Sequence, residues 1–437
     1  MEDRIIFTGQ LAIYPETTRE LAVLTPAYLS WQQGGIKKQL DLSDVVGTSL
    51  VNDPSNNQPC LLVSAYLQPK ANLIALKQRR VLQDYYFTCE NLEQRLQWQK
   101  AIDNTLAGRE INADIKPRHL EIIINPTSGQ GKATEIFDRV RPLFERANLS
   151  YSVTETKSAV DTQNVVQGFN LSQTDGLVIV GGDGYLHDAI AGLMSRDDCD
   201  RAMKVPLGII PGGTGNGLCK SILEAAGESY DPLNAAFIIA RGKQQSFDLA
   251  QMTQGDLQYY SFLSLAWGLI SDADLESEKL RFLGSYRFDI YALFLISLLR
   301  TYRGRFSFIP HHDCQIYGNQ ATDKEAEWQI IEDDFIFLWG MNTPWAAHDM
   351  NVTPLAKLND GAIDVLVMRR GTSRLELLKA LLRCGKGKHL DLPHMEYYKV
   401  KTFKLEPLTD KGVLLVDGEK VDYSAIGMRV LPNSAIV

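Results

Sequence analysis

Val178-Ile179-Val180-Gly181-Gly182-Asp183-Gly184-Tyr185-Leu186-His187-Asp188 joins a short β-branched apolar run to three glycines set around one carboxylate. Leu186, Ile190, Leu193 and Met194 then recur at helical spacing. The pattern reads as a buried strand, a tight turn and a helix. Glycines in such a turn accept positive φ and let a ligand approach the backbone. The free N–H groups that open a helix suit a phosphate. Asp183 is thereby placed at the carboxyl edge of a sheet, where open α/β folds carry their sites. An Asp capping a plain strand-to-helix turn looks the same in isolation, so the neighbouring loops decide between the two.

Two further loops follow apolar runs in the same way. Asn125-Pro126-Thr127-Ser128-Gly129-Gln130-Gly131-Lys132 comes after Leu120 to Ile124, and Pro211-Gly212-Gly213-Thr214-Gly215-Asn216-Gly217 comes after Leu207 to Ile210. In a parallel sheet the three loops share one edge, and together they offer many backbone N–H groups with little bulk, as a triphosphate needs. The common nucleotide fingerprints fail. Walker A is broken because Ala133 follows Lys132 and Pro126 stands in the place of the first glycine. The dinucleotide pattern ends on Leu218 from Gly213 and Gly215, and on Thr134 from Gly129 and Gly131. Phosphoryl transfer needs a base near the acceptor hydroxyl, cations for the phosphates and usually Mg²⁺. Asp183 is the best-placed base, and Lys132 is placed to steady a phosphate. Asp188 reads as a solvated helix residue, and His187 as a packed or capping histidine.

The 437 residues suffice for two or three domains, and 45% apolar with 22% charged residues is ordinary for a globular protein. A net charge of -8 argues against a nucleic-acid partner. The six cysteines are scattered with no C-x-x-C pair, which argues against a zinc site or a disulfide framework and for a reducing compartment. Met1-Glu2-Asp3-Arg4 is acidic and no signal-length apolar run follows it. The longest apolar stretch, Ile290 to Leu299, is about half of the ~20 residues that a membrane span needs. The expectation is an intracellular protein without a transmembrane helix.

Three units follow from the patterning. Residues 1–110 are β-rich, with strands expected at Gln10–Tyr14, Leu21–Leu24, Cys60–Tyr66 and Tyr85–Cys89, and a closing helix, Asn91 to Leu106, whose apolar positions are Leu92, Leu96, Trp98, Ile102 and Leu106. Strands followed by one Trp-bearing helix resemble a pleckstrin-homology module. Lys37-Lys38 and Gln78-Arg79-Arg80 are expected on its loops, solvated or touching anionic headgroups. After a linker, residues 118–245 alternate strands and helices, which predicts a parallel α/β domain. Residues 246–437 return to strands, including Ser261–Leu265, Asp334–Trp339, Ala362–Met368, Lys401–Leu405 and Val413–Val416, with helices at Tyr286–Leu299 and Arg374–Arg383. The fold class expected is α/β plus all-β: a Rossmann-like nucleotide-binding domain, preceded by a small β-rich PH-like domain and followed by an antiparallel β-sandwich that binds lipid.

The three glycine loops together resemble the diacylglycerol kinase catalytic domain shared by lipid kinases. The run Leu263-Ser264-Leu265-Ala266-Trp267-Gly268-Leu269-Ile270-Ser271-Asp272-Ala273-Asp274-Leu275-Glu276-Ser277-Glu278-Lys279 and the later Val416-Asp417-Gly418-Glu419 are similar to sphingosine kinases, over roughly residues 118–437. The resemblance implies ATP-dependent phosphorylation of the primary hydroxyl of a long-chain base. It implies Asp183 as general base, and nucleotide contacts from Asn125, Gly129, Gly131, Lys132, Thr156, Gly182 and Gly184. Gly213, Thr214, Gly215 and Asn216 match the second phosphate loop, and Arg281 and Arg287 match arginines that meet phosphates. Gly418 and Glu419 match a contact that closes the nucleotide cleft. Asp274 matches the acid that holds the substrate's polar head, and Ser264 and Ile270 match pocket positions. Animal members often carry a basic residue where Thr127 stands, so no charge contact is assigned to Thr127.

The residues support this substrate on their own terms. A sphingoid base carries an ammonium, and Asp272, Asp274, Glu276 and Glu278 lie beside an apolar strand where one acid can pair with it. Asp274 is the acid assigned; Glu276 and Glu278 read as a helix start or as partners of Arg281. Tail contacts are sought among Trp267, Phe282, Phe288, Leu293, Phe294, Leu338, Trp339, Met341, Trp345 and Met350. His311-His312-Asp313-Cys314 is read as a surface loop rather than a metal site. ATP and Mg²⁺ are the expected cofactors, with metal ligands unassigned. The expected setting is cytoplasmic with peripheral membrane association. The alternatives are a ceramide or diacylglycerol kinase of the same fold, and a non-catalytic lipid-binding adaptor.

Overall fold

The computed structural model describes residues 4–53, 57–68, 79–126, 131–213, 215–277, 293–312 and 327–437. The first unit has strands β1 (Phe7–Ile13), β2 (Glu20–Leu24), β3 (Tyr28–Gln33), β4 (Ile36–Asp41), β5 (Val45–Asn52), β6 (Pro59–Leu67) and β7 (Val81–Thr88), then helix α1 (Leu92–Leu106). The strands form one antiparallel sheet in the order β4-β3-β2-β1-β7-β6-β5. Asn91 caps α1 by accepting the Gln94 N–H. Trp98 fills the interior, edge-on to Phe7 with ring centroids 4.8 Å apart. The buried face of α1 is Trp98, Ala101 and Ile102; Leu92 and Leu96, read as core from spacing, are exposed. The sheet also holds β3, β4 and β5, which lacked a strong apolar alternation in the sequence.

The second unit is β8 (His119–Ile124), α2 (Ala133–Arg146), β9 (Ser150–Glu155), α3 (Ala159–Gln167), β10 (Gly176–Gly181), α4 (Asp183–Met194), the short α5 (Cys199–Ala202), β11 (Leu207–Pro211), α6 (Gly217–Ala225) and α7 (Pro232–Arg241). Its four strands are parallel in the order β11-β10-β8-β9. β10, Gly176-Leu-Val-Ile-Val-Gly181, is buried along its whole length, as a central strand covered on both faces must be. α3 starts at Ala159 because Ser158 accepts the Asp161 N–H; Asp161 lies in the first turn rather than opening the helix.

The third unit is β12 (Ser246–Gln254), β13 (Leu257–Ser261), β14 (Ser264–Gly268), α8 (Leu269–Ser277), α9 (293–298), β15 (Tyr302–Pro310), β16 (Gln329–Met341), β17 (Ile363–Arg369), α10 (Arg374–Cys384), β18 (Glu396–Pro407), β19 (Leu414–Val416), β20 (Glu419–Val421) and β21 (Ile426–Ile436). All its pairings are antiparallel, and β15, β16, β17 and β18 close on one another around Trp267, Phe306, Phe335 and Phe403. The apolar run Ser261–Leu265 is not one strand: it spans the turn between β13 and β14. No helix among the described residues is long and apolar enough to cross a membrane.

The first two units share a core. Val46 and Tyr66 pack with Leu120, Val140, Phe144 and Phe237. A Cβ on Gly47 would lie 2.3 Å from the Arg146 carbonyl, so only glycine permits this approach of β5 to α2. Arg80, expected on a loop as a solvated charge or a headgroup contact, is buried at this interface. It donates to Asp44 Oδ1 at 2.7 Å, to the Tyr66 carbonyl at 2.6 Å and to Glu228 Oε1 at 2.6 Å, and stacks 4.7 Å over the Phe237 ring. Arg241 of α7 donates to the Leu42 and Val45 carbonyls. Arg80→Ala is expected to lower stability by about 3 kcal/mol, because two acids remain in a desolvated interface without their cation. Urea denaturation of the full chain measures it.

Candidate active site

The carboxyl ends of β8, β10 and β11 bring the glycine loops to one edge, as read from the sequence. The second and third loops meet backbone to backbone. The Gly212 N–H donates to the Gly181 carbonyl at 2.9 Å, and the Asp183 N–H to the Gly215 carbonyl at 3.0 Å. A Cβ on Gly213 would stand 2.6 Å from the Gly182 Cα, and one on Gly182 would stand 3.1 Å from the Gly215 carbonyl oxygen. The first loop joins from the other side: Gly131 has φ +82°, and Ala133, at the start of α2, lies 3.8 Å from the Cβ position of Gly212. Lys132 caps α2 and is exposed, and Asn125 is half-buried at the end of β8. Gly129, Thr214, Arg281 and Arg287 lie outside the described residues, as do Thr127, Glu278, Phe282, Phe288, Asp313 and Cys314.

Asp183 is the first residue of α4, with Gly182 as cap, and is 6% exposed. Its Oδ2 accepts the Gly217 N–H at 2.6 Å, so it also faces the N-terminus of α6. Its Oδ1 is buried with no hydrogen-bond partner. Burial pushes its pKa up to about 7, aided by the nearby Asp417 charge, against the pull of the Gly217 and Leu218 amides. A carboxyl group poised there, with one oxygen unsatisfied beside three glycine loops, has the ionisation and the vacant acceptor that a base for a hydroxyl needs.

Two residues expected to touch the nucleotide have buried side chains bonded within the loops. Thr156 is fully buried; its hydroxyl bonds Thr162 Oγ1 at 2.8 Å and the Tyr185 hydroxyl, and its N–H donates to Ile124. Asn216 is fully buried too, and its amide donates to the Gly213 carbonyl at 2.7 Å, closing the third loop on itself. Through these bonds their side chains brace the loops and Tyr185. The Thr156 hydroxyl is satisfied by these partners, whereas Asn216 Oδ1 is buried with no hydrogen-bond partner, as Asp183 Oδ1 is.

The far wall comes from the third unit. Glu419 Oε1 is 3.6 Å from the Cβ position of Gly184, and Asp274 Oδ2 is 3.9 Å from that of Gly418. Asp188 is pushed up to about 6 by burial and by Glu419, opposed by His187. His187 Nδ1 lies 2.9 Å from Asp417 Oδ2; burial pulls the imidazole pKa down, and Asp417, Asp188 and Glu419 together outweigh it and raise it. Asp417 itself, absent from the sequence-derived site, accepts from the Ser261 hydroxyl and from the Phe262, Leu263 and Ser264 amides. The pair Asp417-Gly418 was the available sequence signal, an Asp-Gly hairpin turn in which Asp417 takes φ +51°.

The acidic run divides by partner. Asp272 is buried against the Tyr302 hydroxyl with Arg300 Nη1 at 3.5 Å, and Glu276 lies 3.8 Å from Arg300. Asp274 is half-exposed beside Gly418, with Ile270 one turn earlier on α8. Ile270 packs on an apolar layer holding Leu263, Leu269, Ala273, Met341 and Leu366, with Trp339 and Met350 on its margin. Ser264 is buried at the start of β14, bonded through its N–H to Asp417. Trp267 and Leu338 point to the opposite face of their strands, inside the closed β15–β18 ring, and are core rather than tail contacts. Trp345 lies 4.4 Å under the Lys220 ammonium. Among the described residues no three His, Cys, Asp or Glu side chains gather to hold a metal ion.

Residues 119–252 match the diacylglycerol kinase catalytic domain family, and residues 331–437 the YegS C-terminal NAD kinase beta sandwich-like domain. Sphingosine kinase 1 of Arabidopsis thaliana is 38% identical over 333 residues, 70% of this chain and 68% of that protein. Sphingosine kinase 1 of Homo sapiens is 32% identical over 345 residues, 73% of this chain and 90% of that protein. The crystal structure of a putative diacylglycerol kinase from Bacillus anthracis str. Sterne superposes with a TM-score of 0.56 at 20% identity, over 74% of this chain and 96% of that one. Gly213→Ala is expected to cut turnover by about 100-fold, because the added Cβ must push the second and third loops apart. A radiolabelled-ATP assay beside a thermal melt checks that activity falls further than stability does.

Proposed function

The chain belongs to the sphingosine kinase family of lipid kinases, whose catalytic core is the diacylglycerol kinase domain, and we propose that it transfers the γ-phosphoryl group of ATP to the primary hydroxyl of a sphingoid base. The observation that carries the reaction is the unsatisfied, buried Asp183 Oδ1 beside the glycine loops. The observation that favours this acceptor is Asp274 standing one helical turn from Ile270, an acid beside an apolar layer. That pairing suits an amphiphile with a cationic head and a hydrocarbon tail. Ceramide and diacylglycerol bring no cation to such an acid.

In this reading ATP lies along the loops of Gly131, Gly182, Gly184, Gly213 and Gly215, whose amides offset the phosphate charge. Lys132, with Arg281 and Arg287, would add cations. Glu419 and Gly418 would close the nucleotide side. Asp183 accepts the proton of the lipid hydroxyl as its oxygen bonds to the γ-phosphorus. The bond from that phosphorus to the β–γ bridging oxygen breaks, and ADP leaves with the electron pair. Mg²⁺ would arrive as the ATP complex, held by phosphate oxygens and waters, which matches the ion's reluctance to give up its waters. The chemistry it would supply is neutralisation of phosphate charge.

A cytoplasmic enzyme acting at a membrane surface completes the reading. Leu293, Phe294 and Leu298 of α9 are exposed. α10 is anchored beside them by the Arg374 Nε–H bond to the Ser297 carbonyl at 2.9 Å, and presents Leu375, Lys379, Leu382 and Arg383 along one exposed face, with exposed Lys386 just beyond its end. Apolar and basic side chains on one face suit an anionic bilayer.

Radiolabelled ATP offered with sphingosine, phytosphingosine, ceramide and diacylglycerol tests the acceptor. Label is expected on the two sphingoid bases; preferential label on ceramide or diacylglycerol would overturn the assignment. Asp183→Asn should lose about 10²- to 10⁴-fold in turnover on removal of the base. Wild-type kcat/KM should rise with pH and reach half its plateau near pH 7, because Asp183, held at about 7, accepts a proton only when ionised. A profile flat from pH 5 to pH 9, or equal turnover by Asp183→Asn, would remove Asp183 as the base.

A further inference from the structure

The turn Asp417-Gly418-Glu419 stands between the two halves of the cleft, held by a carboxylate whose side chain is fully buried. Asp417 and Gly418 have φ of +51° and +85°, and Val416 pairs with Glu419 across them. Two successive left-handed residues are what a two-residue hairpin requires. The turn therefore aims Glu419 at Gly184 on one side and sets Gly418 against Asp274 on the other.

The partners of Asp417 come from two places. Four of its hydrogen bonds, from Ser261 Oγ at 2.7 Å and from the Phe262, Leu263 and Ser264 amides at 3.1, 3.0 and 2.9 Å, arise from the β13–β14 turn of its own unit. The fifth crosses to the nucleotide-binding unit: His187 Nδ1 meets Oδ2 at 2.9 Å, one turn along α4 from Asp183. A carboxylate only accepts, so Nδ1 carries the proton.

We propose that Asp417 and His187 are positioning residues for phosphoryl transfer, whose hydrogen bond latches the Asp417–Glu419 turn onto α4 and thereby couples the nucleotide side of the cleft to the lipid-head side. The proposal rests on the placement of ATP along the glycine loops and of the lipid head at Asp274 argued above. It goes beyond that placement in naming a pair that touches neither substrate. Because the β13–β14 turn keeps Asp417 satisfied without His187, removal of the imidazole donor frees the turn from α4 while the fold stays intact.

His187→Leu keeps bulk without a donor. His187→Asn presents an Nδ2–H where the imidazole Nδ1–H stands. Binding of Mg-ATP by titration calorimetry and steady-state kinetics with sphingosine are read on both. His187→Leu should raise the ATP Kd and the sphingosine KM together by roughly tenfold or more, the worth of one charge-assisted hydrogen bond. Its thermal midpoint should stay near that of wild type. His187→Asn should recover most of both losses. Glu419→Gln made in the His187→Leu background should cost less in ATP affinity than it does alone, as groups acting in series do. Unchanged Kd and KM in His187→Leu, equal losses in the Leu and Asn variants, or full additivity with Glu419→Gln would each overturn the latch. ATP binding is read without turnover, so an error in assigning Asp183 as base leaves this result intact.

Discussion

Two glycine loops touching through bare backbone are the constraint on which the site depends. Gly182 and Gly213 approach so closely that a methyl group on Gly213 would overlap the Gly182 Cα. That approach brings the N-terminus of α6 up to the first residue of α4, and the Gly217 N–H can then reach Asp183 Oδ2. Gly217 has the same requirement on its other side, where its Cβ position lies 2.4 Å from the Trp345 carbonyl. One run of small residues thus seats an acid between two helix N-termini and docks the third unit behind it. The partial positive ends of both helices favour a negative charge at this point, whether carboxylate or phosphate.

The same dependence on close approach recurs at the amino-terminal unit. Gly47 lets β5 lie on the end of α2, and Arg80 fills the remaining gap with a cation shared by Asp44, Glu228 and the Phe237 face. α2 begins at the first glycine loop and ends at this contact. The β-rich unit is therefore continuous with the helix that follows the first glycine loop, rather than tethered beside it.

Much of this was legible because glycine spacing and strand composition report backbone geometry directly. β8, β10 and β11 and the three loops follow from apolar runs that end in glycine, and Asp183 follows from being the acid among them. α7 is absent from the sequence reading although Asp231, Pro232 and Gly242 supply its cap, first turn and left-handed stop. Thr156 and Asn216 illustrate a different limit. Position next to a glycine loop does not say which of the loop's own groups a polar side chain bonds; only the packing beneath decides. Arg80 is similar: a basic pair in a polar stretch looks solvated until a second unit covers it. Ser261–Leu265 reads as one strand by composition, yet its amides are needed by Asp417, a residue more than 150 positions away. Local pattern cannot carry that demand.

The two buried acids of the cleft show how one environment supports opposite shifts in ionisation. Asp417 is as deeply buried as Asp183, and burial alone would raise both. Asp417 receives five donors, among them His187, which outweigh burial and hold it below the usual carboxylate range. Asp183 receives amides on one oxygen and nothing on the other, and is pushed up to about 7. Asp417 contributes to that rise, since its fixed negative charge disfavours a second one nearby. An acid held ionised against the wall and an acid whose ionisation is opposed are thus physically linked. Separated pKa values within one cleft are the usual mark of divided labour between titrating groups. Here the division comes from the hydrogen-bond donors around each carboxylate and from the charges beside them, His187 at Asp417 and Asp417 at Asp183, because both acids are deeply buried.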